Sequence, residues 1–123
     1  MFTRKELNDR VVDVLLNERL RSGCSVLAYC LMPDHLHLVA APTEVRNSVL
    51  TFVACFKSIS TRTSWRFGLS GKLWQPRCYD HVIRYEENLV GVCEYILANP
   101  ARAGLVENPS EYPWCGFVDP ISV

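Results

Sequence analysis

The sequence predicts a single α+β domain, and three observations lead to this fold class. The chain has 123 residues, which is enough for one hydrophobic core but not for two. Two short apolar segments, residues 25–32 and 35–42, flank a turn at Pro33 and Asp34 and predict an antiparallel hairpin in the middle of a sheet. Segments with helical spacing lie before and after this hairpin. An antiparallel pair with helices outside it is typical of α+β proteins.

The first helix is predicted over residues 4–22. Thr3 is placed as its N-cap, and Glu6 three residues later completes a capping box, in which each side chain bonds the backbone of the other residue. The helix is expected to end at Gly23, because glycine readily adopts the left-handed conformation found just after many helices.

A second helix is predicted within residues 43–67, because apolar residues recur there at helical spacing. It is expected to stop at Gly68 and to bury a stripe of four apolar residues. These are Val49, Phe52, Val53 and Phe56. The loop over residues 68–76 follows, with Trp74 near the basic Lys72. Trp74 has two interpretations, since its ring either stacks on an unpaired nucleotide or anchors the loop to the core.

A short strand is predicted over residues 79–84 and a third helix over residues 86–99. The helix is expected to end before Pro100, because a proline ring disfavours the helical conformation of the preceding residue. All of residues 1–123 form one domain in this interpretation, with a loose tail over residues 115–123.

Two histidines open the second strand of the predicted hairpin. Successive side chains of a strand point to opposite faces, so His35 and His37 share one face while Leu36 and Leu38 take the other. Two neutral imidazoles on one face are half of a divalent-metal site. They fit equally well a pair that only forms hydrogen bonds, so residues elsewhere in the chain must decide between these interpretations.

A tyrosine and an asparagine are candidates to complete such a site. Tyr95 and Asn99 are four residues apart in the third predicted helix, so they share a face beside its apolar stripe. Taken alone, Tyr95 is better explained as an amphipathic residue at the boundary between core and solvent.

The formal net charge is zero, which by itself argues against a nucleic-acid-binding protein. The charges are unevenly distributed, however, since seven basic residues and one acidic residue lie between Arg46 and Arg84. Such a segment is either a local phosphate-binding surface or a solvated face. The basic candidates for contact with nucleic acid are Lys57, Arg62, Arg66, Lys72, Arg77 and Arg84. After Arg84 the balance reverses, and Arg102 is the one basic residue among six acidic ones.

The cysteines and the N-terminus indicate a cytoplasmic protein with no membrane partner. The six cysteines are scattered without a Cys-x-x-Cys pair, so they are predicted to be free thiols and not a disulfide framework. The first residues do not have the pattern of a signal peptide. No apolar run approaches the roughly 18 residues that a membrane span needs.

Five segments match one family in its order along the chain. They are Leu-Ala-Tyr-Cys-Leu-Met-Pro-Asp-His-Leu-His-Leu-Val at 27–39, Leu-Trp-Gln at 73–75, Tyr-Asp-His-Val-Ile-Arg at 79–84, Tyr-Ile-Leu-Ala-Asn-Pro-Ala-Arg-Ala-Gly-Leu-Val at 95–106, and Glu-Tyr-Pro-Trp at 111–114. In these segments the chain resembles the single-tyrosine HUH transposases, which move small insertion sequences as single-stranded DNA. It is most similar to their REP-associated relatives.

The resemblance implies a role for four residues. His35 and His37 match the family's His-hydrophobic-His pair, which binds a divalent cation, Mg²⁺ or Mn²⁺. Tyr95 matches the nucleophile, and Asn99 falls where relatives carry a third metal ligand. The implied reaction passes through a 5′-phosphotyrosine link with a free 3′-OH. Because the link keeps the energy of the ester bond, no nucleotide cofactor is expected.

The resemblance also implies a fold, a partner and a location. The fold would be ferredoxin-like (RRM-like), an antiparallel sheet with helices packed on it. The partner would be single-stranded or hairpin DNA in the bacterial cytosol or nucleoid, with a homodimer, and strand exchange within it, left open. Relatives begin with a strand that lies inside the sheet, whereas this chain starts at the cap of the first helix. We therefore expect a clipped or truncated gene, a strand supplied by a partner chain, or a sheet that closes up without it.

The sequence leaves three functions to compare. The leading one is a metal-dependent nuclease and strand transferase acting on single-stranded DNA at hairpin-forming repeats. The second is a truncated or repurposed relative that binds hairpin DNA without cleaving it. The third is a zinc-binding domain that uses His35, His37 and a cysteine such as Cys30 or Cys78.

Overall fold

A computed structural model of the chain describes residues 4–74, 79–82 and 89–120, with only the backbone described for 79–82 and Leu89. Along the chain these residues form α1 (Lys5–Ser22), β1 (Cys24–Leu31), β2 (Leu36–Pro42), α2 (Val49–Trp65), β3 (Tyr79–Val82), α3 (Leu89–Leu97), α4 (Asn99–Arg102), a 3₁₀ turn (Pro109–Glu111) and β4 (Cys115–Phe117). The predicted α+β class is confirmed.

The four strands form one sheet in the order β3-β2-β1-β4. The predicted hairpin of β1 and β2 is antiparallel and central, as expected from its apolar sequence. β3 runs parallel to β2, so the sheet is mixed and the prediction of antiparallel pairing throughout is wrong at this pair. The physical reason is the connection, since the chain between β2 and β3 crosses over through α2, as parallel neighbours require. The histidine strand β2 therefore has a hydrogen-bonded neighbour on both sides.

The two faces of the sheet pack against different helices. One face buries Tyr29, Leu36 and Leu38 against apolar residues of α1 and α2, among them Phe52 and Phe56. The buried stripe predicted for α2 is confirmed.

The opposite face of the sheet packs against α3. It buries Cys30 and Val39 against Cys93 and Ile96 of that helix, and Tyr112 completes the layer. Because His37 lies two residues before Val39 in the same strand, α3 is packed on the histidine face of the sheet.

The ends of α1 differ in how well the sequence predicts them. Arg4, not Thr3, holds the N-cap position, and its side chain makes no capping hydrogen bond, so the predicted capping box is wrong. Thr3 itself lies outside the described residues. At the other end Gly23 adopts the left-handed conformation, with φ of 66°, and its N–H donates to the carbonyl of Arg19. The predicted glycine stop is confirmed.

The third predicted helix is divided in two within the described residues. α3 ends at Leu97, Ala98 forms a turn, and Asn99 begins the separate helix α4. Pro100 lies in the first turn of α4, where its missing N–H costs nothing because that donor would have no partner inside the helix. The proline therefore ends one helix and starts the next.

The predicted loose tail over residues 115–123 is wrong for its first part. Cys115–Phe117 pairs with β1 as the antiparallel strand β4. Beyond this strand, the N–H of Asp119 donates to the carbonyl of Val26, and its carboxylate accepts from the N–H of Val26, each at 2.8 Å. The same carboxylate lies 3.5 Å from the guanidinium of Arg19 on α1. Residues 121–123 lie outside the described part.

Tyr112 links this C-terminal region to the hairpin and yields a prediction about stability. Its hydroxyl donates to the carbonyl of Leu31 at 2.5 Å in the core, and burial raises the pKa of the phenol to about 12. Tyr112→Phe leaves that carbonyl without its partner, so we expect the free energy of unfolding to fall by about 1–3 kcal/mol at pH 8.

The pH dependence of that difference tests the assignment. The folded-state pKa of Tyr112 lies above the ordinary value of about 10, so its contribution is complete below pH 10 and is lost as the pH rises towards 12. Urea unfolding of both proteins should therefore show a difference that shrinks between pH 8 and about pH 11. A difference that stays constant over this range would contradict the assignment.

Candidate active site

His35 and His37 meet on one face of the sheet, as the strand period predicts. His35 immediately precedes β2 and His37 lies within it, and their Nε2 atoms are 2.9 Å apart. The rings are nearly perpendicular, with an interplanar angle of 85°. The imidazoles are hydrogen-bonded to each other, so the geometry of the pair alone still fits both interpretations.

Asp34 orients the first imidazole, a role that the sequence analysis missed. His35 Nδ1 lies 2.6 Å from Asp34 Oδ1. An ionised carboxylate only accepts hydrogen bonds, so His35 Nδ1 carries the proton of this hydrogen bond and the Nε2 atom faces His37. The hydrogen bond from His35 in turn lowers the pKa of Asp34. A carboxylate directly before the first histidine was the signal in the sequence.

His37 is held in the neutral form that binds metal ions. Burial is the main cause of its lowered pKa, followed by the charges of His35 and Arg102. At neutral pH the imidazole therefore keeps a lone pair available on one of its nitrogens.

The histidine pair fits a cation, whereas a zinc site that includes Cys30 is not supported. Two nitrogen ligands about 2.1 Å from one octahedral ion, at right angles to each other, would be about 3 Å apart, which is close to the observed Nε2 separation. No three His, Cys, Asp or Glu side chains in the described ranges converge on a metal position. Cys30 is a poor ligand, because its contact with Cys115 and its burial raise its pKa and keep the thiol protonated. Cys78 lies outside the described residues.

Tyr95 and Asn99 are joined by a residue that the prediction did not include. Tyr95 lies on α3 with 65% of its surface exposed, and the Arg102 guanidinium carbon lies 3.8 Å from the centroid of its ring. The same guanidinium donates a hydrogen bond to Asn99 Oδ1. Asn99 Nδ2 is buried and has no hydrogen-bond partner among the described residues. The signal for Arg102 in the sequence was its place as the one cation of the acidic C-terminal segment.

Two observations place Tyr95, Asn99 and Arg102 on the histidine face of the sheet, namely the packing of α3 and the effect of the Arg102 charge on His37. Cys93 and Ile96 turn towards the sheet, which leaves Tyr95 on the exposed flank of the helix. The charge of Arg102 contributes to the lowered pKa of His37, so the guanidinium lies within electrostatic range of that ring. A histidine pair, an exposed phenol, an amide and a guanidinium therefore share one side of the domain.

The predicted basic contacts are not gathered with these residues. Lys57, Arg62 and Arg66 belong to α2, which packs on the opposite face of the sheet. Arg62, Arg66 and Lys72 are exposed and Lys57 is half-buried. Arg66 also lines a surface cleft between α1 and α2. The structure thus separates a basic layer from the histidine layer.

Two further predicted contacts, Arg77 and Arg84, lie outside the described residues. Arg46, which was counted in the basic segment, forms an ion pair with Glu44 at 2.7 Å. It is therefore partly neutralised within the chain itself.

Trp74 takes the second of its two interpretations, which corrects its place among the predicted DNA contacts. The side chain is buried against the ring of Phe56, with a centroid distance of 5.3 Å. Its Nε1–H donates to Ser60 Oγ at 2.7 Å. A base can stack only on an exposed ring, so Trp74 anchors the loop to the core.

Comparison with known proteins identifies the family of this chain. The chain belongs to the IS200-like transposase family, whose model matches residues 1–99. A REP-associated tyrosine transposase of Escherichia coli K12 is 28% identical over 90 residues, which make up 73% of this chain and 52% of that protein. A REP-associated tyrosine transposase of Haemophilus influenzae is 29% identical over an alignment of 102 positions, which covers 74% of this chain and 57% of that protein. The family resemblance found in the sequence is confirmed.

These comparisons cover only part of the relatives. The chain spans about half the length of the two proteins that it matches. No solved structure is significantly similar to it. None of the helices in the described part of the chain has both the length and the apolar character needed to cross a membrane.

Proposed function

We propose that this protein is a DNA transposase that cuts and rejoins single-stranded DNA at hairpin-forming repeats, with Tyr95 as its nucleophile. Membership of the IS200-like transposase family supports the reaction class. The observation that carries the assignment of Tyr95 is its exposure on α3, the helix packed on the histidine face. An exposed phenol can meet a DNA strand, which a buried tyrosine such as Tyr112 cannot.

The proposed step forms one bond and breaks one. The Tyr95 hydroxyl oxygen attacks phosphorus, the bond from phosphorus to the 3′-oxygen breaks, and the phenolic proton leaves to water while the 3′-oxygen takes up a proton. The product is a 5′-phosphotyrosine with a free 3′-OH. A later attack by a 3′-OH reverses the step and joins strands, so no nucleotide cofactor is required.

His35, His37 and Asn99 are the residues that would hold a divalent cation, Mg²⁺ or Mn²⁺. The Nε2 spacing and the neutral state of His37 support the two nitrogen ligands. The Asn99 carbonyl oxygen has a second lone pair beside the one used by Arg102 and could supply the third. Such an ion, when bound, offsets negative charge that develops on the phosphate oxygens. Asp34 holds the His35 ring in the orientation that this requires.

An end-labelled oligonucleotide tests the proposal directly. The substrate is a single strand that contains an imperfect palindrome from the DNA flanking this gene, labelled at either its 5′ or its 3′ end. With Mn²⁺ we expect the 3′ label to remain with the protein on a denaturing gel. The 5′ label should be released on a fragment ending in a 3′-OH. No adduct, or retention of the 5′ label, would overturn the proposal.

A second function, binding of hairpin DNA without cleavage, is favoured by the position of the basic residues. Lys57, Arg62, Arg66 and Lys72 lie on or just after α2, in the layer opposite the histidines, and could bind phosphates without involving them. This function predicts salt-sensitive binding that survives loss of the histidines, with no adduct in the labelling experiment. The domain would act alone or as a homodimer. The native mass of the free protein and of its DNA complex distinguishes these two states.

A further inference from the structure

Arg102 is the least explained charged residue near the candidate site. It is the one cation of an acidic segment, and it lies at the end of α4, seven residues after Tyr95. Its guanidinium lies over the Tyr95 ring at 3.8 Å and donates to Asn99 Oδ1. An exposed arginine normally extends into solvent, so two simultaneous contacts with proposed active-site residues call for an explanation.

The backbone that carries Arg102 is fixed. Its N–H donates to the carbonyl of Ala98 at 3.0 Å, and the buried Pro100 holds the first turn of α4. Just after α4 the chain turns at Gly104, which has a φ of 77°. The side chain itself is exposed, so its position over Tyr95 depends on the ring and on the amide of Asn99.

The guanidinium has donors to spare at this position. It carries five N–H groups in a planar fork, and the hydrogen bond to Asn99 uses one of them. Arg102 covers one face of the Tyr95 ring. A phosphate that the Tyr95 hydroxyl attacks must lie beside the edge of this ring, and therefore close to the guanidinium. Arginine binds such groups through two parallel hydrogen bonds, a geometry that lysine lacks.

We propose that Arg102 binds the non-bridging oxygens of the phosphate that Tyr95 attacks, and that it is a catalytic residue of strand cleavage. The inference rests on the proposed function, since it takes Tyr95 as the nucleophile. In the attack a bond forms between the tyrosine oxygen and phosphorus while the bond to the 3′-oxygen breaks. Negative charge collects on the two non-bridging oxygens, where a fixed cation is most effective. Arg102 would bind this charge from the side of the tyrosine.

A neutral substrate separates this role from a structural one. Adduct formation is measured under single-turnover conditions on two oligonucleotides that differ at the linkage cut by the wild-type protein. One carries the normal phosphodiester there, and the other a methylphosphonate, in which a methyl group replaces one charged oxygen. The proteins compared are wild type, Arg102→Ala and Arg102→Lys.

On the phosphodiester we expect Arg102→Ala to react about 100-fold more slowly than wild type, as for loss of one fixed donor to a developing charge. Arg102→Lys should recover only part of the rate, because it lacks the fork. On the methylphosphonate the wild-type and Arg102→Ala rates should converge, since this substrate carries no charge before attack and offers the guanidinium one non-bridging oxygen in place of two. Binding of fluorescently labelled oligonucleotide should change much less than the rate.

A control variant and two different negative results separate the role of Arg102 from that of Tyr95. Arg21→Ala removes an exposed arginine of α1 that pairs with Glu18, and it should leave both rates unchanged. If wild type forms no adduct, the proposed function fails. If wild type forms the adduct but Arg102→Ala reacts as fast, or is slowed equally on both substrates, then the role proposed for Arg102 is overturned while that of Tyr95 stands.

Discussion

Replacing Tyr95 by phenylalanine is expected to abolish covalent attachment of DNA. The substitution removes a single oxygen, the atom that the proposed reaction bonds to phosphorus, and loss of a nucleophile typically costs roughly 10⁴-fold or more in rate. Because the side chain is 65% exposed, the free energy of unfolding should change by no more than about 0.5 kcal/mol. The aromatic ring under Arg102 is kept, so the local arrangement should persist.

The measurement is the amount of 3′-labelled adduct formed with Mn²⁺, together with binding of the same oligonucleotide. The matched control is Tyr112→Phe, the same substitution at a buried tyrosine of the same layer. That variant should be less stable but should still form the adduct at a temperature where it is folded. An adduct in Tyr95→Phe would show that Tyr95 is not the nucleophile. Loss of the adduct in folded Tyr112→Phe would show that the effect of the substitution is not specific to Tyr95.

Features of the fold set by local spacing could be predicted from the sequence. The strand period placed His35 and His37 together, and the helical period identified the stripe of α2. Both are consequences of repeating geometry within one element. The glycine that ends α1 belongs to the same group, because its left-handed conformation is a local preference.

Features that depend on contacts distant in sequence could not be predicted. β4 has three residues, too few for an alternating pattern, and it exists because its backbone groups find partners in β1. The parallel pairing of β3 with β2 likewise depends on α2. This helix lies between the two strands in the sequence, and its packing on the sheet determines where the chain returns to form β3. The capping box failed for a different reason, since several positions near a helix start can compete for the N-cap and sequence alone does not rank them.

The candidate site shows the same division. A tryptophan beside a basic residue, such as Trp74, is compatible with both an exposed and a buried ring. Trp74 is buried because its Nε1–H has an acceptor in Ser60 and its ring packs against Phe56, two contacts that the sequence does not show. Arg102 was noticed as an isolated cation, but its contacts with Tyr95 and Asn99 arise from the turn at Ala98, which reorients the chain between two helices. Single residues with an unusual charge context thus identify candidates, and the tertiary structure assigns their roles.

Replacing His37 by alanine is expected to remove cation binding and to slow strand cleavage by about 10³-fold. The proposed cation contributes several kcal/mol to stabilisation of the transition state, and each 1.36 kcal/mol corresponds to a factor of ten in rate. His37 supplies one of the two ring nitrogens that lie 2.9 Å apart, so one histidine alone should hold the ion poorly. Titration with Mn²⁺, followed by the electron paramagnetic resonance of the free ion, measures binding without reference to activity.

A milder substitution, at Asp34, is expected to weaken Mn²⁺ binding without removing it. Asp34→Asn keeps the shape of the side chain that bonds His35 Nδ1 but removes its charge, and loss of such an orienting partner typically costs about 10–100-fold in metal affinity. Binding of hairpin DNA should survive in both variants, because the basic residues of α2 lie in the opposite layer. If His37→Ala binds Mn²⁺ and cleaves as wild type does, the histidines only bond to each other. If instead the wild-type protein binds hairpin DNA but binds no Mn²⁺ and forms no covalent adduct with a cut strand, the second proposed function, binding without cleavage, is correct.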